Sequence, residues 1–309
     1  MKISLLVISS IVSLCLVQCG RVRDEAAAST AGTTPRAKPV ILVANYPLKY
    51  FAQQIGGELI DVRFPAPANE DPAFWQPDDN AISQFQKADL ILMNGASYSK
   101  WTDKVTLPAS KIVDTSSSFQ STFIEEKGAI THSHGPGGEH SHNGIAFTTW
   151  IDFYQAIAQA KAVRAGISRV RPDDARTIDA NTERLAAELG RLDNRMLAVG
   201  KRMNGQPVVA SHPVFQYWAR RYGINLKSVL WEPDEAPTDK QMEELKALLA
   251  THKAKWMVWE GVPAKEGAEK IKRVGLQGVV FDPCANNPEK GDFLSIMKAN
   301  VEGIENAFP

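Results

Sequence analysis

The sequence predicts an α/β protein of two pseudo-symmetric lobes, each a parallel sheet flanked by helices, joined by one long linker helix. Three observations predict it. From Pro39 onward short apolar runs alternate with amphipathic segments, the signature of parallel strands with helical crossovers. The alternation begins again after residue 205 with clearer punctuation. Between the two halves Ile178, Leu185, Leu189, Leu192, Met196 and Val199 recur every three or four residues, which gives one buried face to a single helix over about 172–200. At about 1.5 Å per residue such a helix reaches some 40 Å, enough to lie across both lobes. The pattern is too short for a coiled coil and has no second heptad segment to pair with.

Taken in order, 40–44 reads as a strand, 48–55 as a helix stopped by Gly56-Gly57, and 59–64 as a second strand. A helix over 78–87 leads to a buried strand over 88–93 that ends at Asn94-Gly95. Residues 149–165 read as a helix, and Pro172-Asp173-Asp174 opens the long one: proline suits its first turn and the acidic pair its positive end. In the second half strands are expected at 207–211, 226–231, 256–259 and 279–281, with helices at 214–222, 239–252, 264–274 and 293–306. This divides the chain into an N-terminal lobe over 39–170, a linker helix over 171–201 and a C-terminal lobe over 205–309.

Ahead of the lobes, Lys2, the apolar run from Ile3 to Val17 and Cys19 read as a signal peptide over 1–19, too short to span a bilayer. Leu16-Val17-Gln18-Cys19 resembles the lipobox of bacterial lipoproteins, in which the cysteine is lipidated; Gln18 departs from it, since the pattern wants a small residue there. The expectation is export to the periplasm or cell envelope, anchored to the membrane through Cys19, with plain secretion as the alternative. Residues 20–38, rich in Ala, Ser, Thr, Gly and Pro, read as a flexible tether. Cys15 leaves with the signal and Cys19 carries lipid, so Cys284 is the one thiol left and no intrachain disulfide is expected. Thirty-five basic and 35 acidic residues balance, which argues against nucleic acid as a partner, because phosphate binding needs a basic face.

Two groups of residues point to a metal. The stretch 131–142 holds four of the six histidines, His132, His134, His140 and His142. Each half is a His-x-His step, which in extended backbone presents both imidazoles on one face, and the Gly-Pro-Gly-Gly centre can fold one half against the other. Neutral imidazole is the commonest side-chain ligand for zinc. A solvated low-complexity loop is the alternative. The second group is His212, Glu232, Glu260 and Asp282, one just beyond each predicted strand of the second half. In open α/β sheets ligands bind outside the carboxyl ends of the strands, and imidazole with carboxylates suits divalent first-row cations. Taken singly, Asp282 or Glu232 reads equally as a helix cap and His212 as a satisfied, half-buried histidine.

With these residues in view, the stretch from about 39 to 308 resembles the zinc and manganese substrate-binding proteins of bacterial ABC transporters. His212-Pro213-Val214-Phe215-Gln216-Tyr217-Trp218 through Tyr222-Gly223 follows that family's histidine, aromatic, tyrosine and Tyr-Gly spacing after a buried strand. Asp282-Pro283 after the last strand, Glu235-Ala236-Pro237-Thr238 before a helix, and the histidine-rich loop are also family-like. The resemblance implies a metal-receptor fold with one ion held between the lobes by two first-lobe histidines and a second-lobe histidine and carboxylate. Two positions depart from it. In Asp71-Pro72-Ala73-Phe74-Trp75-Gln76-Pro77 the alanine stands where a ligand histidine belongs, and in Phe147-Thr148-Thr149-Trp150 the first threonine does. His212 and Asp282 survive, with Glu260 beside them by analogy. Either the site is rewired, with a loop imidazole swinging in, or it is degenerate and the loop alone gathers metal, or the cleft has taken another ligand. His142 lies six residues before Thr148, a reach of about 20 Å. The rewired set suits zinc better than manganese, which prefers more oxygens.

The expected function is therefore a monomeric, non-enzymatic envelope receptor that captures Zn2+ and delivers it to an ABC permease. A long helix restraining the lobes implies small shifts and loop ordering on binding, and metal affinity that falls as pH drops through about 6.5. A zinc buffer without a permease is the alternative. A zinc-dependent hydrolase with Glu232 or Glu260 as base lacks any His-Glu-x-x-His signature. The seven tryptophans read mainly as core, with Trp75 singled out as a cleft residue.

Overall fold

The computed structural model describes residues 37–126, 131–133, 139–141 and 144–309, with 131–133 and 139–141 described as backbone. The signal peptide, Cys19 and the tether up to residue 36 lie outside the described residues, as do His134 and His142. Among the described residues no helix is long and apolar enough to cross a membrane.

The first sheet contains β1 (Val40–Val43), β2 (Asp61–Arg63), β3 (Leu90–Met93) and β4 (Ile112–Asp114), all parallel, in the order β2-β1-β3-β4. The fourth strand was not expected from the sequence. Helices α1 (Tyr46–Gly56) and α2 (Asp79–Lys87) make the first two crossovers. Asn45 and Asp78 cap them, accepting from the Leu48 and Ala81 amides at 3.2 and 2.7 Å and so satisfying donors that a helix start leaves open. Two short antiparallel pairs follow: β5 (Glu125–Glu126) with β8 (Gly144–Ile145), and β6 (Thr131–Ser133) with β7 (Glu139–Ser141). The histidine-rich stretch thus folds back on itself, with His132 opposite His140 in the register.

Helix α3 (Phe153–Val170), capped by the Asp152 carboxylate, leads through a turn at Pro172–Asp174 into α4 (Ala175–Met203), 29 residues and about 43 Å long. The expected stripe on α4 is buried throughout. Asn204 in the left-handed region and Gly205 stop the helix. The second sheet repeats the first in the order β10-β9-β11-β12, from β9 (Pro207–Ala210), β10 (Asn225–Ser228), β11 (Trp256–Trp259) and β12 (Gln277–Val280). Its crossovers are α5 (Gln216–Tyr222), α6 (Asp239–His252) and α7 (Lys265–Arg273), and α8 (Phe293–Ala307) closes the chain. The strand expected over 226–231 ends at Ser228, three residues early.

Alternation along the strands decides what each face meets. Ile41, Val43, Leu90 and Leu92 face one core while Leu42, Ala44, Ile91 and Met93 face a second one under α2. In the other sheet Val208, Ala210 and Val258 join the first core, and Val209, Met257 and Trp259 pack under α6 and α7. One apolar core therefore runs through both lobes, with the α4 stripe and α8 within it. Trp75, singled out as a cleft residue, lies instead in the core under α2, edge-on to Trp101 at 6.3 Å. Polar pins reinforce the junction. The Trp150 indole donates to the Pro283 carbonyl at 2.7 Å, the Tyr217 hydroxyl to the Ala146 carbonyl at 2.8 Å, and the Phe153 amide to the Tyr222 hydroxyl at 3.2 Å.

Candidate metal centre

The carboxyl ends of the second sheet are laced together by Ser211. Its amide donates to the Val258 carbonyl at 2.8 Å, its carbonyl accepts from the Trp231 amide at 2.8 Å, and its hydroxyl accepts from the Glu260 amide at 3.3 Å. These bonds fix three segments at once, so the residues following Ser211, Trp231 and Trp259 are brought together. They are His212, Glu232 and Glu260, whose ligand atoms all lie within 4.8 Å of one another. Nδ1 of His212 stands 3.3 Å from a Glu260 oxygen and 3.7 Å from a Glu232 oxygen. His212 is buried and the two glutamates are half-buried.

Asp282 is held alongside rather than within this group. The Phe281 amide donates to the Trp259 carbonyl at 2.8 Å, which keeps the last strand end beside Glu260. Asn300 of α8 brackets Asp282, accepting from its amide at 3.0 Å and donating to its carbonyl at 2.7 Å. One Asp282 oxygen accepts from the Cys284 amide at 2.6 Å, in a turn that places buried Cys284 at a φ of 57°.

Electrostatics sets the cluster apart as a gathering of buried and half-buried acids. Burial pushes the Glu260 carboxyl well above the usual range, and the Glu232, Asp71 and Asp282 carboxylates push it further. Burial raises Asp282 as well, with the Cys284 amide opposing. The His212 nitrogen with the Glu232 and Glu260 oxygens is a mixed donor set of the kind that suits a divalent cation. The Cys284 thiol is pushed upward by burial and by Asp282, which keeps it protonated.

Of the residues singled out in the sequence, His212 and Glu260 meet directly and Asp282 acts on Glu260 through space. Glu232, read in the sequence as one of the strand-end acids that together point to a metal, also belongs to the group. Asp71 was missed as a contributor; the acid two residues ahead of Ala73 was the available signal. Ala73 and Thr148, at the positions where histidines were expected, are both buried. His132 and His140 are placed by backbone register alone.

A family profile described as "ZnuA: Zinc-uptake complex component A periplasmic" matches residues 41–307. The zinc-binding lipoprotein AdcA of Streptococcus pneumoniae is 23% identical over 98% of this chain, which spans 60% of the length of that relative. The high-affinity zinc uptake system protein ZnuA of Bacillus subtilis is 24% identical, over 95% of this chain and 94% of its own. Among solved structures, the metal-dependent lipoprotein YcdH from Bacillus subtilis superposes with a TM-score of 0.74 at 20% identity, covering 87% of this chain and 98% of its own. Zn(II)-bound AdcA from Streptococcus pneumoniae gives 0.74 at 19% identity, over 88% of this chain and 58% of its own. These structural likenesses establish the two-lobed α/β fold with its long helix. With the profile spanning both lobes and the linker between them, the chain belongs to the ZnuA family, the periplasmic component A of zinc-uptake complexes.

Proposed function

We propose that this protein is a cell-envelope receptor that captures Zn2+ between its lobes and delivers it to an ABC permease, without catalysing a reaction. The observation that carries the proposal is the convergence of His212, Glu232 and Glu260 within 4.8 Å. Acidic groups buried against one another are unfavourable unless a cation offsets them. The zinc-related names of the sequence relatives, and the family's place as the periplasmic component of an uptake complex, support the same cargo and a membrane partner. Export and attachment through lipidated Cys19 complete the proposal. In it, the histidines of 131–142 raise the local capture of zinc and hand the ion to the cleft.

The test is calorimetric titration of zinc into the protein beside His212→Ala and a deletion of 131–142. Loss of the tight site in His212→Ala, by about a hundredfold or more, supports a working cleft. Loss in both variants supports a site completed by the loop. Should only the deletion matter, the cleft plays no part in zinc binding. The alternative, a zinc buffer with no permease, is separated from the receptor by whether zinc-loaded protein binds a permease reconstituted in vesicles.

A further inference from the structure

The chain leaves the cation cluster at Asp282 and runs at once onto the first lobe. We infer that Asn286 is a positioning residue of the zinc receptor: within the loop 283–287 it holds the two lobes in register beside the cluster, and so sets how long a captured ion stays. This inference rests on the receptor reading above.

Four of the five residues from Pro283 to Asn287 hydrogen-bond to the first lobe. The Pro283 carbonyl accepts from the Trp150 indole at 2.7 Å, the Ala285 carbonyl from the Tyr46 amide at 3.0 Å, and the Asn287 side-chain oxygen from the Lys49 ammonium at 2.7 Å. Nδ2 of Asn286 donates to the Pro67 and Glu70 carbonyls, each at 2.7 Å. Three separate first-lobe segments are gripped in this way: the loop at 67–70, the first turn of α1 and the turn at Thr149–Ile151. Tyr46 follows β1 and Asp282 follows β12, so the loop joins the carboxyl end of one sheet to that of the other. Cys284, with a φ of 57° and its amide on the Asp282 carboxylate, turns the chain between the two.

The side-chain amide of Asn286 suits this place at both ends. Its oxygen accepts from the Asn287 amide at 2.6 Å, which fixes its orientation, and its nitrogen gives both hydrogens to first-lobe carbonyls. An aspartate there would set an oxygen against two carbonyls. The near end of the loop is tied as firmly to the cluster: Asn300 brackets Asp282, and the Phe281 amide donates to the Trp259 carbonyl, one residue before Glu260. Parting the lobes beside the cluster breaks these bonds, so the loop opposes the motion that would let water reach a bound ion. Among variants of one site, affinity differences lie mostly in the dissociation rate. By linkage, zinc must tighten the loop by the same factor by which the loop tightens zinc. The Tyr46 amide reports on this, because the first amides of a helix find no acceptor within it and the Ala285 carbonyl supplies one.

The experiment mixes zinc-loaded parent, Asn286→Ala and Asn287→Ala with an excess of chelating dye and follows release by stopped flow. Asn225→Ala is the control, since Asn225 donates from the same kind of amide to the Gly205 carbonyl at 3.1 Å, within the second lobe. Circular dichroism checks that each variant folds. Asn286→Ala is expected to release zinc roughly fivefold faster or more, Asn287→Ala roughly twofold faster and Asn225→Ala at the parental rate, with association within about twofold of the parent throughout. Hydrogen exchange at the Tyr46 amide should slow on zinc loading in the parent and slow less in Asn286→Ala. Parental release from Asn286→Ala, or equal acceleration in Asn225→Ala, would overturn the inference and leave the receptor intact, as would exchange at Tyr46 that is indifferent to zinc. Should Asn286→Ala fail to fold, Asn287→Ala decides by the same two readings. A parent that takes up no zinc sinks the receptor reading itself.

Discussion

The two sheets share one strand order and finish in opposite chemistry. Two residues beyond Ala210 of β9 stands His212; two beyond Val43 of β1 stands Asn45. The residue after β11 is Glu260 and the residue after β3 is Asn94; two beyond β12 is Asp282 and two beyond β4 is Ser116. In the first lobe these positions satisfy one another. The amide of Asn45 donates to the Asn94 side-chain oxygen at 3.2 Å, Gln159 donates to the same oxygen at 3.1 Å, and Asn94 donates to the Phe147 carbonyl at 3.0 Å. Neutral amides form a closed network, whereas the second lobe gathers acids that repel. The same scaffold position can therefore close a neutral network or gather acids, and the difference is one of charge and not of backbone.

Four substitutions or conditions test that contrast. Asn94→Asp places a carboxylate where the network needs a donor to Phe147, and is expected to destabilise the protein by about 2–4 kcal/mol in urea denaturation with zinc affinity of the survivors unchanged. Gly200→Ala tests the frame rather than the ends. A Cβ on Gly200 would stand 2.0 Å from the Tyr222 carbonyl oxygen where α4 crosses α5, so a loss of about 1–3 kcal/mol is expected. Glu260→Gln should do the reverse of Asn94→Asp: zinc affinity falls by roughly tenfold or more, while zinc-free stability at pH 8 rises, because a neutral amide removes a buried carboxyl whose ionisation burial and its acidic neighbours oppose. An Asn94→Asp variant as stable as the parent, or a Glu260→Gln variant less stable without zinc, would remove the distinction between the lobes.

The smallest effect is in pH. Because Glu260 and Asp282 are raised in the folded protein, the native state holds their protons more tightly than the unfolded chain does. Their contribution is fully present below the ordinary carboxylate range and is lost as pH rises through the raised values. Zinc-free melting temperature should fall accordingly from acid toward neutral pH, and Glu260→Gln should flatten the slope. Zinc selects the ionised carboxylates, so the loaded protein should gain most at the higher pH.

Legibility followed from how local the cause was. The α4 stripe and the four strands of the second sheet were readable, since periodicity and flanking turns fix them locally. Residues Ile112–Asp114 were not, because a three-residue strand at a sheet edge carries too little pattern. His212 and Glu260 were visible as strand-end residues. Glu232 was named with them, but for a strand that stops at Ser228; the Ser211 carbonyl, accepting from the Trp231 amide, draws that segment back to the cluster. Asp71 depends on a clasp from Asn286, 216 residues from Glu70 in sequence, and no spacing rule encodes that. Trp75 was misjudged because a Pro-rich loop looks exposed until α2 and Trp101 are seen to cover it.

A spine shared by both halves has a consequence for recognition. In the proposed receptor, α4 and the continuous core would hold the lobes before an ion arrives, so that loading would change the silhouette little and cost little chain entropy. What loading would change is the field at the mouth, where two positive charges would offset the clustered acids. A membrane partner that distinguishes full from empty carriers would then do so through electrostatic potential near the strand ends, with a preference that weakens as salt concentration rises.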